Sequence, residues 1–72
     1  MLCKIIFDNI IGKYHVKLME HSEPMLMVWT TFASAYRYAI LQHYQVSIPD
    51  MLDYVDTNKY QLDYQIYMEL TQ

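Results

Sequence analysis

The chain has 72 residues with a formal net charge of −3, 54% hydrophobic residues and a single cysteine. That length implies one domain spanning residues 1–72, with a thin stability margin because a chain this short buries only ~60% of its unfolded surface. The apolar content argues against disorder, and one cysteine excludes an internal disulfide, which fits a reducing cytoplasm. No apolar run approaches the ~18 residues of a membrane span.

Residues 3–8, CKIIFD, alternate as a strand, with Cys3, Ile5 and Phe7 on one side and Lys4, Ile6 and Asp8 on the other. The opening MLCKIIFDNIIGK lacks a small-residue cleavage site and does not read as a signal peptide. Asn9 to Lys13 contains the only glycine, Gly12, and reads as a hairpin loop. In residues 14–20, Tyr14, Val16 and Leu18 take the core side and His15, Lys17 and Met19 the other. HSEP, residues 21–24, is a turn by composition.

Residues 25–31, MLMVWTT, fit two readings. They can form a third strand, favoured by Val28, Trp29, Thr30 and Thr31, or the first turns of a long helix starting near Ser22. A helix capped by Thr31 follows, with Phe32, Tyr36, Ala39, Ile40 and His43 on one broad face. A second, short helix is expected over residues 47–56, capped by Ser47, with Ile48, Met51, Leu52 and Val55 as its apolar side. In residues 60–70, YQLDYQIYMEL, Tyr60, Leu62, Tyr64, Ile66, Met68 and Leu70 fall on every second position, which predicts a final strand. The expected fold is therefore α+β: a small antiparallel sheet of about four strands, ordered β-β-β-α-α-β, with helices on one face.

The residues offer little for bond chemistry. Cys3, His15, His21 and His43 form no pair at zinc-site spacing. Cys3 sits on the core side of a strand, where a thiol is a small inert hydrophobe. One glycine cannot build a phosphate-binding loop. Neither a metal, a cofactor nor catalysis is expected. Direct nucleic-acid binding is not expected either, since the chain has no basic stripe. Residues 44–72 carry Asp50, Asp53, Asp56, Asp63 and Glu69 against Lys59 alone, which suits a basic protein partner or a thin imitation of nucleic acid.

The uncovered sheet face is the expected contact surface. Its predicted members are Ile6 and Met19, with Asp63, Gln65, Tyr67 and Glu69 from the last strand. An apolar centre with a polar rim is the layout of a protein interface, and Tyr67 would be its anchor.

The order MLCKIIFDNIIGKYHVKLME, then MLMVWTT running into FASAYRYAILQHY, then a terminal strand, resembles small phage-encoded proteins of the antitoxin type. The resemblance implies a stoichiometric inhibitor of a host protein or protein–nucleic-acid complex, such as a toxin, nuclease, defence complex or polymerase, acting in the host cytoplasm. The alternative is a homo-oligomeric structural or regulatory subunit that uses the open sheet face as a dimer interface.

Overall fold

The alternation of CKIIFD and YHVKL does build a hairpin. In the computed structural model, which describes all 72 residues, β1 (Leu2–Asp8) pairs antiparallel with β2 (Lys13–Leu18). The register sets Cys3 opposite Leu18, Ile5 opposite Val16 and Phe7 opposite Tyr14, so the expected core residues share one face. Asp8 closes the loop: its carboxylate accepts from the Ile10 and Ile11 N–H groups at 2.9 and 3.3 Å, and His15 Nε2 lies 3.2 Å away. The Ile10 N–H and then the His15 contact hold this carboxyl below its usual range. Gly12 has φ +67°, a conformation that favours glycine.

Thr31 caps α1 (Phe32–Leu41), its hydroxyl accepting from the Ser34 N–H at 3.1 Å. Phe32, Ala35 and Ala39 are buried on the hairpin's core face. Ile40 and His43, expected on the same face, are exposed. The helix ends in a Schellman motif, with the His43 N–H donating to Ile40 C=O and the Tyr44 N–H to Ala39 C=O, both at 2.9 Å. His43 occupies the left-handed position of that motif, at φ 63°. The chain then runs alongside β1 as β3 (Gln45–Val46), parallel to it, giving the order β2-β1-β3.

Three expectations change here. First, residues 25–31 do not form a full strand. Trp29 exchanges two backbone hydrogen bonds with Tyr14 and the Met25 N–H donates to Val16 C=O, but Leu26, Met27 and Val28 bulge outward between these anchors. Three residues on one side cannot stay in register against the single His15 opposite them. Second, residues 47–56 hold only a 3₁₀ turn, Met51–Asp53, capped by Asp50 and not Ser47. Pro49, whose ring cannot sit inside a continuing helix, is buried there.

Third, the predicted last strand is a helix, α2 (Thr57–Leu70). Asp56 caps it by accepting from the Asn58 and Lys59 N–H groups. Its inward residues are Lys59, Tyr60, Asp63, Ile66 and Tyr67, a helical stripe that the even-numbered apolar row conceals. Leu62, expected in the core, is 58% exposed.

The α+β class holds: a small mixed sheet of three strands with two helices on its inner face. Cys3, Ile5, Tyr14, Val16, Phe32, Ala35, Ala39 and Val46 form the core, with Ile66 and Tyr67 of α2 packed against it. No helix is long and apolar enough to cross a membrane.

Candidate protein-binding surface

The one buried polar cluster lies where α2 meets the hairpin. Asp63 is 1% exposed and accepts from Tyr14 Oη at 2.8 Å and from Tyr54 Oη at 2.9 Å. Burial, with the Asp63 carboxylate beside them, pushes both phenols far above their usual range and keeps them protonated. Lys59 Nζ rests over the rings of Phe7 and Tyr14, 4.8 and 5.2 Å from their centres. The cluster ties α2 and the 3₁₀ segment to β2 and faces no cavity. Cys3 is fully buried, and desolvation raises its thiol pKa. No group of three His, Cys, Asp or Glu side chains gathers at metal-binding distance.

The predicted contact residues do not share a face. Ile6 lies half-buried on the outer sheet face opposite His15, and Met19 is exposed just beyond β2. Gln65 and Glu69 are exposed on the outward side of α2, across the core from that face. Asp63 is interior, and Tyr67 is half-buried, its hydroxyl donating to Val46 C=O at 3.3 Å and its ring edge-on to Tyr36. Both were expected on an open sheet face; the helix turns them inward because they sit four apart on its buried stripe.

The outer sheet face is more basic than apolar. Lys4 stands opposite Lys17, Ile6 opposite His15, and Asp8 opposite Lys13. Lys4 reaches Asp53 at 3.0 Å, which relieves one of the two facing charges.

Apolar exposure lies elsewhere. Only ten of 72 residues are buried, while eighteen large hydrophobic side chains are exposed. Leu26, at the tip of the bulge, is 100% exposed, with Met27 and Val28 beside it. The hairpin tip adds Ile10 and Ile11, next to the strand end that Trp29 bridges. This bulge is held at both ends by backbone hydrogen bonds, and Trp29 packs against Tyr38 of α1, the ring centroids 4.8 Å apart and the planes tilted by 40°. It is an apolar protrusion on a fixed base. The run of apolar residues in MLMVW carried the signal, but the strand reading hid which of them would stand clear.

Comparison of the chain with known protein families, curated proteins and solved structures gives no match. The hairpin and the passage from Trp29 into α1 form as expected, and residues 60–70 form no terminal strand.

Proposed function

We propose that this protein is a non-catalytic, stoichiometric inhibitor that binds a host protein or protein–nucleic-acid complex, of the kind small phage-encoded proteins represent. The observation that carries the reading is the Leu26–Met27–Val28 bulge, three apolar side chains held away from the core on a hydrogen-bonded base. Exposed apolar groups on a fixed frame bind with little ordering cost, and a few such anchors carry most of an interface's energy. The hairpin tip carries two further exposed apolar side chains, Ile10 and Ile11. The acidic balance of the chain favours a basic surface on the target.

The alternative, a homo-oligomer paired through the outer sheet face, is less well supported. Lys4, Lys13 and Lys17 lie on that face, and a two-fold contact there would bring like charges together.

The test is expression of the chain in a bacterial host, isolation of its complex, and titration of the captured protein's activity. Activity should fall linearly to an endpoint of fixed stoichiometry. Leu26→Asp should keep the wild-type melting temperature and lose inhibition. An unchanged Leu26→Asp variant, or inhibition at far less than stoichiometric amounts, would overturn the reading.

A further inference from the structure

The segment that carries the Leu26 bulge is paired only at its ends, and the strand edge beneath it is left partly open. In β2, Tyr14 and Val16 turn their backbone groups away from β1 and toward residues 25–29. Tyr14 exchanges two hydrogen bonds with Trp29, and Val16 C=O accepts from the Met25 N–H at 3.0 Å. The Val16 N–H points the same way, is buried, and finds no acceptor in the bulged segment. A buried N–H without a partner is uncommon and disfavours the arrangement that leaves it so.

A second pairing satisfies it. With Trp29 kept opposite Tyr14, a regular antiparallel strand sets Val28 opposite His15, Met27 opposite Val16, Leu26 opposite Lys17 and Met25 opposite Leu18. Met27 then replaces Met25 as the donor to Val16 C=O, and its own C=O accepts from the Val16 N–H. Moving Met27 into the place of Met25 is a slip of two positions, and strand faces repeat every second residue, so the inward and outward sides are preserved. The side chain that enters the place beside Val16 is again a methionine. Met25 packs against the core now, and Met27, 53% exposed, takes its position. Core burial therefore does little to separate the two registers. What the bulged form keeps is the turn in which the His21 N–H donates to Leu18 C=O at 3.0 Å, an acceptor that the extended form gives to Met25.

We propose that residues 25–29 exchange between two registers: the bulged form, which presents Leu26, and an extended third strand, which withdraws it. In the extended form Leu26 and Val28 lie on the outer sheet face beside Lys17 and His15, and Met27 turns inward. Trp29 holds its place in both. The exchange is a property of the chain alone. Its regulatory effect, that only the bulged form inhibits, rests on the reading of the bulge as the contact surface. A target that binds the bulged form draws the population toward it.

A cross-strand disulfide traps the extended form, since the native Cys3 is buried and does not compete. Leu26 and Lys17 become a non-hydrogen-bonded antiparallel pair, whose Cα atoms come within about 4.5 Å and suit a disulfide. In the bulged form the Leu26 side chain is 100% exposed and rests on no neighbour. Under mild oxidation Lys17→Cys with Leu26→Cys should close within one chain. It should do so roughly tenfold faster or more than Lys17→Cys with Gln65→Cys, because Gln65 lies across the core. In the wild type, NMR relaxation dispersion should show millisecond exchange at the Val16 and Met27 amides. Met27→Pro removes an N–H that only the extended form uses, and should abolish the exchange at Val16. Against the captured host protein, the oxidised cysteine pair should inhibit roughly tenfold more weakly than the same variant after reduction. A pair that closes no faster than the control, or a wild type without exchange at Val16, overturns the two registers. If Leu26→Asp loses inhibition while Val16 shows no exchange, the inhibitor reading stands and this one fails. A locked form that inhibits as well as the reduced one overturns the regulatory role and the bulge as contact surface, and leaves the two registers standing.

Discussion

Asp63 accepts two phenolic hydrogen bonds in the interior, yet along the chain it stands among Asp50, Asp53 and Asp56 as one more acid in an acidic stretch. Its role depends on Tyr14, 49 positions away, which no local pattern shows. Asp63→Ala would leave two buried hydroxyls without their acceptor and should cost ~3–5 kcal/mol, read by urea unfolding. Asp63→Asn keeps one acceptor oxygen and should cost less, ~1–3 kcal/mol. The phenols themselves predict alkaline sensitivity. Their folded pKa lies above the unfolded value of about 10, so the native state holds protons that the unfolded chain releases. The stabilisation is complete below that pH and is lost progressively as pH rises above it. Unfolding followed between neutral pH and pH ~11 should show this fall, and Tyr14→Phe should flatten it. His43 makes the opposite case. Its left-handed backbone suits glycine, so His43→Gly should raise stability by roughly 0.5–1 kcal/mol, seen as a higher melting temperature.

At the level of elements, the hairpin and α1 were legible because their periodicity and their caps agree. Alternation placed Cys3, Ile5, Tyr14 and Val16 on the core side, and Thr31 marked the start of the helix. Helix α2 was not legible from apolar spacing. Its buried stripe contains Lys59 and Asp63, while Leu62 faces water, so a pattern based on apolar residues points to the wrong period. The Asp56 cap and the near absence of β-branched residues after Thr57 were the available signals. Two substitutions separate helix from strand. Leu62→Ala, which a strand would make costly, should change stability by no more than ~0.5 kcal/mol. Ile66→Ala, packed against the core, should cost roughly 2 kcal/mol. Both are measured in dilute protein, where association does not contribute. The two-residue β3 carries no period at all and could not be read in advance.

For the molecule as a whole, the periodicity of the elements was enough for the α+β class, and the open question was where the apolar surface outside the small core would lie. The expected site assumed that residues 60–70 extended the sheet; once they coil, Asp63 and Tyr67 become internal supports, and Ile6 and Met19 are left on a lysine-bearing face. The Tyr14–Asp63 hydrogen bond also has a consequence in time. The hairpin joins residues close in sequence, whereas this bond must close a loop of 49 positions. Loop closure of that length is opposed by chain entropy until other contacts have formed. Docking of α2 should therefore come after the folding barrier. In stopped-flow chevron analysis, Asp63→Asn should accelerate unfolding and leave the refolding rate nearly unchanged, whereas Val16→Ala in the hairpin should slow refolding.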